Sequence, residues 1–331
     1  MIEPEEDLLD YSKDEASSSP LEMRVPMQHG GLRFDQILTK LLPEYSRSRL
    51  QDWIEQGLVT VNGKVATAKL KVWGGERVSV TPQTLPSEQP YIAQDIPIDI
   101  VYEDDDIVIV NKHVGLVVHP GSGNWEGTLL NALLHHVPEL AEVPRAGIVH
   151  RLDKDTSGLM VVAKSLIAQT ALVRQLQART VKREYLALVW GELDYGDTIN
   201  APIGRHPSQR VKMAVVEGGK EAVTHFTIEA NFPSCTLVRC RLETGRTHQI
   251  RVHMTYIGHP LVGDSVYQKG VQKCVLPLRE LLNGFPRQAL HATKLALEHP
   301  VTGEHMEWEV PLPEDMEELL DNIDEASDGI A

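Results

Sequence analysis

The sequence predicts an α+β chain of two domains, the larger built on a mixed, largely antiparallel sheet. Three observations carry this reading. The 331 residues suit two domains at roughly 150 residues each. A polar stretch with prolines at 82, 86 and 90 separates a short N-terminal part from a long remainder, as linkers do. In that remainder short β-like runs outnumber helical ones and come in clusters, which argues against a doubly wound βαβ fold.

The elements follow in order. Phe34, Ile37, Leu38, Leu41 and Leu42 keep a helical rhythm. A second helix starts near Ser46, with Leu50, Trp53 and Ile54 on one face and Gly57 ending it. Asn62-Gly63 between L-V-T-V and K-V reads as a hairpin, because Asn-Gly suits the positive φ of a type I′ turn. L-K-V-W-G-G-E-R-V-S-V adds strand material. Domain boundaries are therefore expected at 31–82, with a linker at 83–95 and a second domain at 96–313. That second domain should open with strands in I-D-I-V-Y-E-D, D-I-V-I-V-N-K and G-L-V-V-H-P. Helices are expected in G-T-L-L-N-A-L-L-H-H-V and S-L-I-A-Q-T-A-L-V-R-Q-L-Q-A-R, and further strands in E-Y-L-A-L-V-W-G, A-V-T-H-F-T-I-E-A and C-T-L-V-R-C-R-L-E.

Charge is unevenly spread. The formal net charge is -15, but residues 1–20 hold seven acidic residues against one basic, and 314–331 hold eight acidic and none basic. The ends, 1–30 and 314–331, are expected to be disordered acidic tails. The body between is nearly neutral and keeps basic stretches, with eight basic and five acidic residues over 33–77. Net charge therefore does not exclude a nucleic-acid substrate. Apolar content of 42% against 24% charged excludes wholesale disorder. No apolar run approaches the roughly 20 residues of a membrane span. The acidic start M-I-E-P-E-E-D is unlike a secretory signal. Cys235, Cys240 and Cys274 lack disulfide-framework or zinc spacing and are expected as reduced thiols of a cytoplasmic protein.

Two clusters could carry chemistry. H-R-L-D-K-D-T-S-G, His150 to Gly158, lies between apolar runs, where a sheet would position a loop. An ordinary turn would use the same residue types. L-E-T-G-R-T-H-Q-I-R-V-H-M, Leu242 to Met254, places Arg246, His248, Arg251 and His253 on a turn and a helix starting near Thr247. His248 and His253 are five apart with no acidic residue between them, which is not H-E-x-x-H zinc spacing.

Together these clusters resemble the RluA/RluD-type pseudouridine synthases, most closely the RluD-type enzymes of the large ribosomal subunit. The resemblance runs from about Gly31 to Asp315. It includes Y-E-D-D-D-I-V-I-V-N-K-H-V-G-L-V-V-H-P-G (102–121), H-R-L-D-K-D-T-S-G-L-M-V-V-A-K (150–164) and R-E-Y-L-A-L-V-W-G (183–191). It continues through the Leu242–Met254 segment, G-H-P-L-V-G-D (258–264) and R-Q-A-L-H-A (287–292). Residues 33–80 resemble an S4 RNA-binding domain of the α-L type. His113 stands where the family usually has proline, a departure confined to a local turn.

The resemblance implies a catalytic aspartate at Asp153, with Arg246 as the cation that keeps it ionised. Tyr185 would stack on the uracil and take the C5 proton, and Arg151 would fill the space left by a flipped-out nucleotide. Asp155 reads as a turn-stabilising carboxylate. Arg47, Arg49 and Lys64 of the S4 module would contact RNA. A carboxylate could act as nucleophile at C1′ or as base at C2′, and the residues leave both open. The implied partner is 23S ribosomal RNA, free or in a large-subunit particle, with the helix 69 hairpin loop as target. No cofactor, metal, membrane or second copy of the chain is implied.

Two rivals come from other classes. D-K-D-T at 153–156 imitates the D-x-D-x-T loop of a magnesium-dependent phosphatase, but another β-like run follows at once instead of a helical crossover. A non-enzymatic S4-type RNA-binding or ribosome-assembly protein would not need Asp153, Tyr185 and Arg246 together.

Overall fold

The computed structural model describes residues 20–82, 91–121, 124–209, 212–269, 274 and 278–328. The chain divides into two compact units, Met1–Gln89 and Pro90–Ala331.

The first unit contains β1 (Leu21–Arg24), α1 (Phe34–Leu41), α2 (Arg47–Glu55), β2 (Val59–Val61), β3 (Lys64–Val65) and β4 (Arg77–Val80). Its antiparallel sheet has the order β1-β4-β2-β3. The predicted helical faces are the buried ones: Phe34, Ile37, Leu38, Leu50, Trp53 and Ile54 pack on Val59, Val78 and Val80. Ser46 caps α2 by accepting from the Arg49 amide at 3.3 Å. Asn62 and Gly63 take φ of 51° and 76°, the left-handed pair a type I′ turn requires. Of the run 70–80, only Arg77–Val80 forms a strand.

One expectation fails at this end. Residues 21–24 are not part of a disordered tail but form β1, in register from Leu21 opposite Val80 to Arg24 opposite Arg77. Leu21 and Met23 face the core while Glu22 and Arg24 are exposed. A period-2 pattern of four residues is too short to stand out beside an acidic segment. Residues 1–19, and residues 83–90 of the expected linker, lie outside the described residues. The rest of that linker is not free: Asn131 Nδ2 donates to the Ile92 carbonyl at 2.8 Å, and the Gln94 amide donates to the Asn131 carbonyl at 3.0 Å.

The second unit begins with β5 (Asp99–Glu103), β6 (Ile107–Lys112), α3 (Leu129–His136), β7 (Ser157–Ala163), α4 (Leu166–Ala178) and β8 (Lys182–Trp190). It continues with β9 (Asp197–Asn200), β10 (Ile203–Arg205), β11 (Met213–Val215), β12 (Val223–Phe232), β13 (Cys235–Leu242) and α5 (Gln249–Tyr256). α6 (Leu278–Gly284), β14 (Leu290–Glu298), β15 (His305–Glu309) and α7 (Glu314–Asp328) complete it. The central sheet runs β5-β6-β7-β14-β8-β13-β12-β9, with β15 beside the end of β14. Only the β7–β14 pair is parallel, so the sheet is mixed and largely antiparallel as expected. The expected strand in G-L-V-V-H-P reduces to a single bridge from Val117 to Thr128.

The second acidic end is also not a disordered tail. α7 buries Met316, Leu319 and Ile323 against Leu186, Leu188, Leu278 and Leu282. These apolar residues recur at helical spacing, and the acids fill the remaining faces. The high acid count hid an amphipathic helix. Cys235, Cys240 and Cys274 are unpaired. Among the described residues no helix is long and apolar enough to cross a membrane.

Candidate active site

The segment His150–Thr156 leads into β7, the sheet strand that lies between β6 and β14. Gly158 lets this happen. Its φ is +112°, and a Cβ there would sit 2.2 Å from the Ala292 carbonyl oxygen, so only glycine brings β7 this close to β14. The loop is then fixed through its backbone. Lys112 is buried, and its Nζ donates to the carbonyls of His113 at 2.9 Å, and of Leu116 and Lys154 at 3.0 Å. Burial lowers its pKa to about 8, against the upward pull of Asp155 and Asp153. Arg287 Nη1 donates to the Asp155 carbonyl at 3.2 Å, and the Thr156 amide closes a turn onto the Asp153 carbonyl at 3.1 Å. His150 Nε2 accepts from the Val161 amide at 3.1 Å, which ties the start of the loop to β7.

With the backbone held, the Asp153 side chain points to α5. Its Oδ2 lies 2.8 Å from Arg251 Nη1. Arg251 also grips Asp264 with two bonds, Nε to Oδ2 at 2.7 Å and Nη2 to Oδ1 at 2.9 Å, and its guanidinium lies over the Tyr267 ring. Asp264 has a fully buried side chain, and its Oδ1 accepts the amides of Val266 and Tyr267. Burial alone would lower the Arg251 pKa, but Asp264 and Asp153 outweigh it and raise it. The guanidinium is thus a permanent charge held rigidly between two carboxylates.

His248 stands on the other side of Asp153, its Nε2 3.8 Å from Oδ1. Burial, the largest effect, lowers the His248 pKa, opposed by Asp153. Its Nδ1 meets the Tyr267 hydroxyl at 2.8 Å. That oxygen already accepts the Met213 amide, so its proton is free to go to Nδ1. The tautomer this assigns carries its proton on Nε2, toward Asp153.

A cavity of about 830 Å³ opens over these groups, and Arg151, Asp153, Tyr185, Arg246, His248 and Arg251 all line it. Tyr185 is buried on β8. Burial raises its pKa and Asp153 adds to this, while Arg183 opposes it, so the phenol is neutral near pH 7. Arg151 is exposed. The expected pairing of Arg246 with Asp153 is not what the structure holds. Arg246 Nε donates to the Glu221 carbonyl at 2.9 Å, and the cation on Asp153 is Arg251. The reason is helix register. Gln249 Oε1 accepts from the Arg246 amide at 3.0 Å and the Thr244 hydroxyl at 2.7 Å. That leaves Arg246 in the turn before α5 and carries Arg251 inward. Arg251 and Asp264 both stood in the quoted motifs, 13 residues apart, without a pattern to pair them.

In the first unit, Arg47 bonds the buried Asp35 at 3.1 Å, beside Arg33 at 3.0 Å. Two arginines on one carboxylate leave a net positive charge. Arg49 lies over the rings of Tyr45 and Trp53, and Lys64 is exposed. Among the described residues one group could hold a metal ion by proximity, Asp104, Asp106 and His299. Asp104 is already committed to the amides of Asp106 and Ile107, the Tyr102 hydroxyl and His299, and the group does not line the cavity.

Comparison with known proteins matches this arrangement. Residues 106–256 match the family model for RNA pseudouridylate synthase, and 32–78 match the S4 domain. The chain is 55% identical over 307 residues to the ribosomal large subunit pseudouridine synthase D of Nitrosomonas europaea, covering 93% of this chain and 89% of that one. The chain belongs to the RNA pseudouridylate synthase family. The Escherichia coli protein of the same description is 55% identical over 88% of this chain and 90% of its own length. Among solved structures, human RNA pseudouridylate synthase domain containing 1 is 26% identical. It covers 70% of this chain and 96% of its own, with a TM-score of 0.52. As a pseudouridine synthase the chain is an isomerising enzyme, and the phosphatase and non-enzymatic readings fall away. The family match spans the loop of Asp153, the strand of Tyr185 and the helix of Arg251.

Proposed function

We propose that the chain converts specific uridines of large-subunit ribosomal RNA to pseudouridine, with the helix 69 hairpin loop of 23S rRNA as target. The observation that carries this is the Asp153 carboxylate lining the cavity, held 2.8 Å from an Arg251 locked to Asp264. The relatives' description as ribosomal large subunit enzymes supports the substrate class, and the S4 module supports an RNA partner. Such a substrate, free 23S rRNA or a large-subunit particle, is met in the cytoplasm, and one copy of the chain holds every group named.

The reaction breaks the uridine N1–C1′ bond, turns the uracil and joins C5 to C1′. A proton leaves C5 and N1 gains one, so nothing is oxidised or reduced. The base must leave its stack first, because the reacting atoms are inaccessible inside it. Arg151, which lines the cavity and is exposed, would enter the gap. Asp153 acts as nucleophile at C1′ or as base at C2′, and Arg251 sets a fixed positive charge 2.8 Å from its carboxylate. The Tyr185 ring offers a stacking face. Its raised pKa makes a neutral phenol, a poor base, so stacking fits it better than removal of the C5 proton.

The test is to map pseudouridines in rRNA from cells lacking the gene, then restore the wild-type or the Asp153→Asn protein. Pseudouridines in the helix 69 loop should vanish on deletion and return only with wild type. An unchanged map would refute the proposal.

A further inference from the structure

Arg183 lines the same cavity but takes no part in the Asp153 network. It lies on β8 two residues before Tyr185, and residues two apart on a strand face the same way. Arg183 is 8% exposed. Its Nε is buried with no hydrogen-bond partner, and among the described residues its guanidinium makes no hydrogen bond or ion pair with a protein group.

Three other arginines of the cavity wall have protein partners, while Arg145 and Arg151 also line it but are exposed. Arg179 is tied to Glu221 and Glu243, Arg246 to the Glu221 carbonyl, and Arg251 to Asp153 and Asp264. A buried charge is costly unless paired, and a guanidinium stays charged at any working pH. Gly245 lies against it: a Cβ there would sit 2.8 Å from Arg183 Nη1, so an alanine would push the flexible end of the arginine aside.

Resting on the reading of RNA as substrate, we infer that Arg183, lying against Gly245, is a phosphate subsite inside the catalytic cavity. Uracil and ribose are neutral, so the anion an RNA brings to this cavity is a phosphodiester. Two oxygens of one phosphate match the guanidinium fork. With Tyr185 beside Arg183 on the same strand, the phosphate is one flanking the flipped uridine. Arg183 then gains its partner only once the nucleotide has entered, and its pairing favours the flipped state.

The experiment uses a helix 69 hairpin carrying one uncharged methylphosphonate, at the 5′ or the 3′ phosphate of the target uridine. Equilibrium binding and single-turnover rate are measured for the wild type, Arg183→Gln, Arg183→Lys and Gly245→Ala, with melting temperatures. At one of the two positions the neutral linkage should weaken the wild type about 10- to 100-fold in binding and rate combined, the worth of a charged hydrogen bond. Arg183→Gln should lose a similar factor on unmodified RNA and lose little more on that modified RNA. Arg183→Lys should restore part of the loss, and Gly245→Ala, which displaces the charge without removing it, should reproduce part of it. Melting temperature should not fall in Arg183→Gln, because no bond is lost in the free protein. Additive losses at both phosphates, or a fall in melting temperature with no coupling to either, would overturn the subsite. Coupling in binding without any conversion by the wild type would support the subsite and refute the proposed reaction. Normal conversion with additive losses would do the reverse.

Discussion

Arg251 joins Asp153 and Asp264 through one guanidinium, at 2.8 Å to the first and at 2.7 and 2.9 Å to the second. The bidentate bond to a buried carboxylate fixes the plane of the guanidinium. The remaining nitrogen is thereby aimed at Asp153 before any substrate arrives. Such preorganised charge costs no rearrangement during reaction. Lysine is a point charge without the planar fork, so it cannot keep the bidentate grip on Asp264 while holding a second nitrogen on Asp153. Arg251→Lys should therefore cut single-turnover rate about 100-fold or more, in line with loss of one preorganised electrostatic contact. Arg246→Ala should cost less, because Arg246 leaves the Asp153 ion pair intact. Equal losses in the two variants would contradict the assignment of Arg251.

Asp153→Asn should separate chemistry from binding. The amide has nearly the same size but is neither nucleophile nor effective base. Turnover should fall at least about 1,000-fold, within the range for losing a positioned acid–base or nucleophilic group, while RNA affinity stays within a few fold. Single-turnover conversion and filter binding on the same RNA decide this. Retention of a tenth of the wild-type rate would remove Asp153 from the chemistry.

A second guanidinium ties the C-terminal helix to the loop. Arg287 meets both oxygens of Asp315, at 2.6 and 2.7 Å, and reaches the Asp155 carbonyl with its remaining nitrogen. Asp315 is partly exposed, so solvent screens the pair. Asp315→Asn should then destabilise the protein by about 1–2 kcal/mol, the worth of a charged hydrogen bond. Truncation at 313 should cost more, because it uncovers the apolar partners of Met316, Leu319 and Ile323. Urea unfolding should show a lower midpoint in both. An unchanged midpoint on truncation would mean that α7 adds nothing to the core.

Stability should also fall in acid. Burial lowers the pKa of His150 to about 3 and that of His291 to about 4, from 6.5, with Arg183 and Arg287 respectively adding to the effect. Both sites are harder to protonate folded than unfolded. The unfolded chain therefore binds more protons between pH 6.5 and about 3, and stability present above 6.5 is lost as pH falls through that window. Denaturation midpoints across this range measure the slope. His150→Gln keeps an acceptor for the Val161 amide but does not titrate, and should flatten it. An equal slope in that variant would move the acid sensitivity elsewhere.

How far these features were legible follows from their physics. The helical spacing of Phe34–Leu41 and the Asn62-Gly63 turn depend on local rules, and the structure keeps both. The loop of Asp153 stood out because polar residues were packed between apolar runs. Arg251 did not, because choosing it over Arg246 requires the register of α5, which Gln249 fixes through contacts to the preceding turn. α7 was hidden because counting acids ignores where the apolar residues between them point. Arg287 and Lys112 act on carbonyl oxygens, and a carbonyl leaves no mark on residue type.

The first unit holds its own core, so recognition can be tested apart from chemistry by removing residues 1–89. The groups lost include Arg47, Arg49, Lys64, Lys69 and Lys71. Lys64, Lys69 and Lys71 are exposed, and Arg47 shares Asp35 with Arg33, leaving the trio positive. Each phosphate these residues neutralise releases counterions and adds up to about 0.9 to the slope of log affinity against log salt on duplex RNA. The truncated protein should bind its rRNA fragment more weakly and with a shallower slope. Asp153, Arg251 and Asp264 all belong to the second unit, so the single-turnover rate at saturating RNA should fall much less than affinity. Single-turnover kinetics and binding for both proteins, across a salt series, measure the two effects separately. An unchanged affinity and slope would show that the S4 module does not hold this RNA through its phosphates. A slope lowered by two or more would count at least that many phosphates to the module.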